Sequence, residues 1–247
     1  MKISVVVPAY NEARRILPSL EQIFPYMEAH HPDYEVVLVD DGSTDETAAL
    51  VRRHFGQRPQ LRLVAYGGNR GKGFAVRYGA EQATGDLVLF SDADLSTPIE
   101  ELDKLLPLIE RGNDLVMGSR AHPDADIRIR QPFYREYGGK LFNLLIRLLL
   151  LREFHDTQCG FKLFRRTALL PILRRQRVDR FAFDVELVYL AHQAGLKIAD
   201  VPVVWMNSPE TKMGASGIAR AVLDVLRIWI GHFTAPLNSD RPVGGAR

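Results

Sequence analysis

Two aspartates, Asp92 and Asp94, follow a short apolar run at residues 87–90. The run predicts a buried strand, and Thr97 with Pro98 predicts the N-cap and first residue of a helix. The two carboxylates would then share the C-terminal edge of a strand, where open α/β sheets bind ligands. Neighbouring carboxylates repel unless a cation lies between them, and their oxygens suit Mg²⁺ or Mn²⁺. The pair indicates a metal–diphosphate site, although loop aspartates also serve as helix caps.

The elements that must position this pair alternate between strand and helix over the first 120 residues. Ser43 or Thr44 is expected to cap a helix that begins at Asp45 and Glu46. Capping explains Asp45 well but Asp41 poorly. The predicted strands are residues 2–8, 34–40, 61–66, 87–90 and 114–119, and the other predicted helices are residues 13–30, 74–83 and 98–111. This order predicts a doubly wound, mostly parallel α/β sheet of about five strands, flanked by helices, with the polar loops along one edge.

The second half of the chain has a different character. A polar loop at residues 121–132 leads to an almost wholly apolar helix at 138–154, which is either a core helix or an interfacial one. The remaining predicted elements are a polar loop at 156–162, a helix at 181–194, a strand at 198–205, a mobile loop at 207–217, an amphipathic helix at 218–233 and a disordered tail at 238–247. Acidic residues at the start of the 181–194 helix also suit a helix N-terminus without any further role.

Residues 67–73 form a glycine-rich loop with Arg70 and Lys72, directly before a predicted helix. Backbone N–H groups at such a helix start can hold a phosphate. The spacing is not that of a P-loop, because Gly73 stands where Ser or Thr is required, and it also differs from the dinucleotide fingerprint. The loop therefore supports neither a P-loop NTPase nor a dehydrogenase.

Composition limits the class of protein. The chain has 247 residues, 46% hydrophobic and 25% charged, which is typical of a globular protein of one domain or slightly more. The net charge of +2 predicts no nucleic-acid partner. One cysteine, Cys159, excludes an internal disulfide, and no secretory signal is evident, so we expect a cytoplasmic protein.

The charge is unevenly placed along the chain. Residues 128–180 contain 13 Lys and Arg against 4 Asp and Glu, a net charge of +9, so the rest of the chain carries −7. Solvated helix faces are one explanation for this basic segment. A surface for anionic lipid is the other.

Several motifs together resemble the family 2 inverting glycosyltransferases of the GT-A fold. They are residues 8–12 (PAYNE), 39–45 (VDDGSTD), 70–73 (RGKG) and 92–94 (DAD). Residues 157–164 (TQCGFKLF) and 181–186 (FAFDVE), with the loop that carries Lys212, resemble the polyprenyl-phosphate glycosyltransferases. Within that group the motif SDADLSTP at 91–98 is most similar to the dolichyl-phosphate β-glucosyltransferases.

The resemblance implies a nucleotide-sugar donor, UDP-glucose, and a polyprenyl phosphate acceptor, dolichyl or undecaprenyl. Asp92 and Asp94 would hold the metal, and Arg120 and Lys212 would contact donor or acceptor phosphate. The implied donor-binding residues are Pro8, Tyr10, Glu12, Asp41, Lys72, Asp92 and Ala93. The family's glutamine metal contact is replaced by Ser96, and the N-terminal transmembrane helix of the eukaryotic enzymes is missing. Membrane contact would therefore come from helices near residues 140–152 and 218–233.

The proposed chemistry agrees with these residue types. A phosphate monoester is an anion at neutral pH and needs no general base, so in-line attack on an α-linked donor would give a β-linked product. Asp184 is the candidate base only if the acceptor is a hydroxyl group. The alternatives are transfer of mannose or another sugar to a polyprenyl phosphate, and transfer to a saccharide hydroxyl.

The resulting domain division is a GT-A domain at 1–212, with acceptor-side elements from about 121, an amphipathic membrane-interface helix at 213–237, and the tail. We expect the protein to be peripheral on the cytosolic face of the membrane.

Overall fold

The computed structural model describes residues 1–129, 132–207 and 215–233. The loop cation Lys212 and the tail at 238–247 therefore lie outside the described residues. In the first half of the chain, strands and helices alternate. They are β1 (Ile3–Ala9), α1 (Ile16–His30), β2 (Tyr34–Asp40), α2 (Thr47–Phe55), β3 (Leu61–Ala65), α3 (Lys72–Gln82), β4 (Leu87–Ser91), a 3₁₀ turn (Ile99–Glu101), α4 (Leu102–Glu110) and β5 (Leu115–Ser119).

In the second half of the chain, strands and helices no longer alternate strictly. The elements of this half are β6 (Asp126–Ile129), α5 (Phe133–Leu149), β7 (Phe161–Arg165), α6 (Arg166–Arg175), α7 (Phe183–Gln193), β8 (Ile198–Pro202), β9 (Val204–Met206) and α8 (Ala215–Phe233). Helix α5 begins and ends five residues before the predicted 138–154 helix. Polar residues lie at the start of this helix. Two of them, Glu136 and Lys140, form an i,i+4 ion pair on the helix surface, with 2.7 Å between Oε1 and Nζ.

The main sheet has seven strands in the order β3-β2-β1-β4-β7-β5-β8. All neighbouring pairs are parallel except those made by β7, which runs antiparallel between β4 and β5. The prediction of a mostly parallel α/β sheet is confirmed, but its count of five strands is wrong. Strand β7 escaped prediction because Lys162 interrupts its apolar run and its flanks contain polar residues.

A second, two-stranded sheet joins β6 to β9. The predicted strand at 198–205 is in fact broken at Val203, and the predicted loop at 121–132 contains β6. At the break, Val203 donates its N–H to Ser119 of the main sheet and accepts a hydrogen bond from the N–H of Asp126. One residue thus carries the chain from one sheet to the other.

Two predicted helix caps are wrong. Helix α2 begins after Glu46 without a side-chain cap, because the Ser43 hydroxyl accepts the Asn11 N–H and the Thr44 N–H donates to Asn11. Asp45 does accept the Thr47 N–H, at 3.0 Å. Thr97 is buried with its hydroxyl 3.6 Å from Cys159 Sγ, and the 3₁₀ turn after it has no side-chain cap.

Both faces of the sheet are covered, which explains why its strands are continuous apolar runs. In β2, Val36 and Leu38 pack toward α1, whereas Val37 and Val39 pack toward α3 and α7. Residues that point to opposite faces thus join two separate core layers. These layers hold the strand ends of the site in fixed positions.

Helices α5 and α8 each bury one face in the second core layer, through Ile146 on α5 and through Val225 and Ile228 on α8. Both also present large apolar side chains to solvent. On α5 these are Phe133, Tyr137, Leu141, Leu144 and Leu148, and on α8 they are Leu223, Trp229 and Ile230. In the described part of the chain, no helix has both the length and the apolar character needed to cross a bilayer.

Gly79 tests the close contact between α3 and the sheet. A Cβ at this position would lie 2.6 Å from Val6 Cγ1 and 2.7 Å from Val39 Cγ2. Gly79→Ala should therefore lower the free energy of unfolding by about 1–3 kcal/mol, measured by urea denaturation. The control is Gly139→Ala on α5, where an added Cβ would meet no described residue within 4 Å apart from its chain neighbours and the backbone of its own helix. This substitution should raise the free energy of unfolding by about 0.5–1 kcal/mol. Equal unfolding midpoints for the two variants would contradict this packing.

Candidate active site

The loops that follow β1, β2 and β4 meet at one edge of the sheet, because these three strands are parallel neighbours. Backbone hydrogen bonds to side chains tie the first two loops together. The Glu12 N–H donates to Thr47 Oγ1 at 2.8 Å, and the Thr44 N–H donates to Asn11 Oδ1 at 2.8 Å. The strand ends thus form one continuous rim, as the sequence predicted.

Asp41 lies at this rim, is buried, and holds the glycine-rich loop. Its two carboxylate oxygens accept the backbone N–H groups of Arg70 and Gly71, at 2.7 and 2.9 Å. Asn69 and the Tyr66 hydroxyl also donate to it. The backbone of Gly71 has φ +107°, which favours glycine. Asp41 therefore fixes the position of Lys72. The contact of Asp41 with a nucleotide-sugar donor remains a prediction.

Lys72 begins α3 and forms an ion pair with Asp92, with 2.6 Å between Nζ and Oδ1. Burial alone would lower the pKa of Lys72, but the charges of Asp92 and Asp184 outweigh it and raise the pKa. Behind Asp92 lies Gly160, where a Cβ would lie 2.0 Å from Asp92 Oδ2. Only glycine leaves room for this position of the carboxylate.

Asp94 faces a different cation, Arg15. The Arg15 guanidinium donates to both Glu12 oxygens, at 2.7 and 2.8 Å, and its Nη1 lies 3.3 Å from Asp94 Oδ2. The next residue, Leu95, is buried and has φ +44°, a left-handed conformation that is strained for leucine. Ser19 donates to the carbonyl of Ala93 at 2.7 Å. The loop is therefore anchored on both sides of Asp94.

A buried ion pair lies beneath Asp92. Lys162 has no exposed surface, and its Nζ lies 2.6 Å from Asp184 Oδ1 and also donates to the carbonyl of Cys159. Burial raises the pKa of Asp184 above its ordinary value, and the charges of Lys162 and Lys72 offset that rise only in part. Asp184 thus lies at the site, but its carboxylate is held by Lys162.

Arg120 follows β5 and binds Asp156. Its Nε and Nη2 donate to the two Asp156 oxygens, at 2.6 and 3.0 Å, and its guanidinium lies 5.6 Å from the centre of the Trp205 ring. Burial alone would raise the pKa of Asp156, but the Arg120 charge and the hydrogen bonds from Arg120 and Gln158 lower it to about 2. Of the Arg120 nitrogens, Nη1 lies outside these contacts with Asp156.

The remaining predicted residues are placed as follows. Pro8 is buried near the end of β1, and Tyr10 is exposed in the loop after it. Lys212 lies outside the described residues. The structure thus gathers Glu12, Lys72, the two loop aspartates and Asp184 at one edge.

Sequence reasoning missed three residues that position this site. Arg15 carried no recognisable signal, and Gly160 was noted only as part of the motif at 157–164, because the contacts of both residues depend on how the loops meet. Lys162 did carry one, as a single charge within the apolar run of residues 161–164. A lysine among residues of that kind requires a buried counter-charge.

Comparison with known proteins shows which family the part of the chain with this rim belongs to. The family described as Glycosyl transferase family 2 matches residues 4–172, which include all three rim loops and Lys162. The chain belongs to glycosyl transferase family 2. It is therefore a glycosyltransferase, and the rim of β1, β2 and β4 lies within the part that the family shares.

Relatives in this glycosyltransferase family match most of the chain. Dolichyl-phosphate beta-glucosyltransferase ALG5C of Trichomonas vaginalis is 36% identical, covering 96% of this chain and 75% of its own length. Dolichyl-phosphate beta-glucosyltransferase of Drosophila melanogaster is 37% identical, with 86% and 69% covered. Among solved structures, glucosyl-3-phosphoglycerate synthase from Mycobacterium tuberculosis, in complex with Mn²⁺, uridine-diphosphate and phosphoglyceric acid, has a TM-score of 0.71 at 20% identity, with 96% of this chain and 80% of that one covered. This likeness confirms the GT-A fold.

The Arg120–Asp156 pair predicts a pH-dependent stability. Because the folded pKa of Asp156 is below its ordinary value of 3.8, its contribution is complete above that value and is lost as the pH falls toward 2. Asp156→Asn should therefore lower the free energy of unfolding by about 2 kcal/mol at pH 7, and the difference from wild type should shrink below pH 4. Urea denaturation from pH 7 to pH 2.5 measures this.

The control for that series is Asp33→Asn, an exposed carboxylate, which should follow the wild-type curve. A difference between Asp156→Asn and wild type that stays constant over the whole range would show that Asp156 is not held ionised by Arg120.

Proposed function

We propose that this glycosyltransferase moves glucose from UDP-glucose to a polyprenyl phosphate, with inversion at the anomeric carbon. The relatives named dolichyl-phosphate beta-glucosyltransferase, at 34–37% identity across organisms as distant as Homo sapiens and Drosophila melanogaster, support the donor and the acceptor. The observation that carries the acceptor class is the buried pair of Lys162 and Asp184.

Asp184 is poorly suited to act as a general base. If it took a proton from an acceptor hydroxyl, the fully buried Lys162 would be left without its counter-charge 2.6 Å away. Removing one partner of a buried ion pair costs about 3–5 kcal/mol. A phosphate acceptor avoids this cost, because its attacking oxygen is already an anion.

The donor would lie along the rim, with its base and ribose near Pro8, Tyr10, Glu12 and Asp41. Lys72 would contact the diphosphate. It already lies at the helix start next to Asp92, where backbone N–H groups also favour phosphate. A cation here stabilises the charge that develops on the leaving nucleoside diphosphate.

The carboxylates of this rim fit a divalent metal ion. Asp92 and Asp94 are each partly exposed and each already pairs with a cation, Lys72 or Arg15. Among the described residues, no third His, Cys, Asp or Glu completes a cluster, so donor phosphates and water would supply the other ligands, as is usual for Mg²⁺. When bound, Mg²⁺ or Mn²⁺ would neutralise charge on the diphosphate. The Mn²⁺ complex of the Mycobacterium tuberculosis neighbour is consistent with this.

The acceptor phosphate would be held by Arg120 and Lys212. Asp156 fixes the Arg120 fork by two hydrogen bonds and leaves Nη1 to donate to a phosphate oxygen. In the transfer itself, the phosphate oxygen forms a bond to the anomeric carbon while the bond to UDP breaks on the opposite face. The product is therefore β-linked.

The acceptor is a membrane lipid, so the site must lie at a membrane surface. The exposed apolar stripe on α5, which runs from Phe133 to Leu148, and the basic charge of residues 128–180 suit the interface of an anionic membrane. We also propose that the site lies at the cytosolic face of the membrane. The buried free thiol of Cys159 is compatible with that compartment.

A panel of donors and acceptors tests the activity. Radiolabelled glucose from UDP-glucose should appear in a product that extracts into organic solvent and is labile to mild acid. UDP-glucose should exceed GDP-mannose as donor, and polyprenyl phosphate should exceed saccharides as acceptor. Asp94→Ala should reduce the rate at least about a thousandfold without changing the unfolding midpoint, since it removes a ligand of the metal.

The variant that separates the acceptor classes is Lys162→Met/Asp184→Asn, which removes both charges and so leaves no buried cation unpaired. It should keep transfer to polyprenyl phosphate within about tenfold of wild type. An inactive double variant with a normal unfolding midpoint, together with label on a water-soluble saccharide, would overturn the lipid-phosphate assignment in favour of a hydroxyl acceptor.

The membrane surface makes a separate prediction. Leu141→Glu/Leu148→Glu should lower co-sedimentation with anionic liposomes about thirtyfold, because each of these exposed leucines would contribute about 1 kcal/mol when it is half-buried in the membrane interface. The control, Ala49→Glu/Gln57→Glu, makes the same charge change on exposed positions around α2 and should bind nearly as wild type. Equal losses in the two variants would show that charge alone, and not the α5 stripe, holds the protein.

A further inference from the structure

A cleft of about 430 Å³ lies between helix α8 and residues 177–180, the segment that joins α6 to α7. Arg177, Asp179 and Arg180 line one wall, and Asp224, Arg227 and Ile228 line the other. The wall at 177–180 packs against the glycine-rich loop, since a Cβ at Gly71 would lie 2.5 Å from the carbonyl oxygen of Asp179 and 3.0 Å from Arg180 Cγ. None of the lining residues is among those that the rim of the candidate active site brings together.

The acidic groups of the cleft are already engaged. Asp224 pairs with Arg227 at 3.0 Å, and Asp179 pairs with Arg77 at 2.9 Å. Glu186 accepts the backbone N–H groups of residues 177 and 178, at 2.9 and 2.7 Å. Glu186 keeps its negative charge in these contacts, but no ion pair joins any of the three acids to Arg177 or Arg180 within the described residues.

Arg177 and Arg180 are both exposed, and among the described residues neither lies within ion-pair distance of a carboxylate. Two guanidinium groups that share a cleft and form no ion pair can still donate to an anion, and phosphate fits their fork of N–H donors best. Arg220 lies next to Arg180 in an adjoining small depression and adds to the positive potential.

The size and edge of the cleft indicate what carries the phosphate. A volume of about 430 Å³ is within the range of sites for small organic molecules and far exceeds a single phosphate ion. On α8, the exposed side chains of Leu223, Trp229 and Ile230 neighbour the lining residues in the chain. A molecule with an anionic head and an apolar body would satisfy both regions.

We infer that this cleft binds the phosphate head group of an anionic membrane phospholipid, whose acyl chains lie along α8. The inference rests on the proposed membrane contact, but not on the identity of the donor or the acceptor. A bound head group would fix α8 at a defined depth in the interface. The stripe on α5 would then provide a second, purely apolar contact.

The test uses dihexanoyl-phosphatidate, a soluble short-chain phosphatidate, as probe, without donor. Binding is followed by titration calorimetry and by tryptophan fluorescence, since Trp229 stands between Ile228 and Gly231 of the cleft. Arg177→Gln/Arg180→Gln should weaken binding at least tenfold. The control Arg174→Gln/Arg175→Gln removes the same charge from the neighbouring end of α6, outside the cleft, and should leave affinity within twofold of wild type.

Other probes identify the source of the phosphate. Dihexanoyl-phosphatidylcholine and inorganic phosphate should each bind at least tenfold more weakly than the phosphatidate. Equal affinity for inorganic phosphate would reduce the cleft to a simple anion site and overturn the inference. Equal weakening by both double variants would also overturn it, because the effect would then be general electrostatics.

Farnesyl phosphate separates this site from an acceptor site. If it bound tenfold more tightly than phosphatidate, and its glucosylation was lost in Arg177→Gln/Arg180→Gln, the cleft would be an acceptor site and the inference would be wrong. The binding assay contains no UDP-glucose. Its result can therefore be interpreted even if the proposed transferase activity is not found.

Discussion

The structure depends on one buried charge in the middle of its sheet. Lys162 enters the core on β7, the strand that runs antiparallel between β4 and β5, and an ammonium group there would cost several kcal/mol without a partner. Asp184 at the start of α7 supplies that partner, so the helix is joined to the sheet at a defined position. Two residues before Lys162, Gly160 leaves the space in which the Asp92 carboxylate lies. One short strand therefore sets the position of both acidic groups.

The sequence predicted the parallel half of the sheet well because its strands are buried on both faces and consist of apolar runs. The predicted and observed bounds of β2 are identical, and those of β1 and β4 differ by one residue. Prediction failed where a contact from elsewhere in the chain decided the conformation. Ser43 and Thr44 look like helix caps, but Asn11 takes their hydrogen bonds. The strand at 198–205 breaks because Val203 bonds to two different sheets, which no local pattern reveals.

Prediction of the candidate site succeeded and failed for the same reasons. Residues at the ends of predicted strands, such as Asp41 and Asp92, were located from the chain alone, because parallel strands bring their C-terminal ends to one edge. Their partners were not, because a contact such as that of Arg15 with Asp94 spans 79 positions in the sequence. The distinction matters for Asp184. Sequence reasoning offered it as a base only for a hydroxyl acceptor, and what the chain alone did not reveal is its ion pair with Lys162.

Leu95 shows how the loop that carries Asp92 and Asp94 keeps its shape. Its left-handed backbone, at φ +44°, would suit glycine, yet its side chain is buried in the core against the first helical layer. Backbone preference and packing preference are thus in conflict at this position: glycine would relax the backbone but remove the anchor, and any other side chain would keep the strain. No substitution satisfies both demands. Leucine here is a compromise, and the core beneath this loop limits the side chains that position 95 can accept.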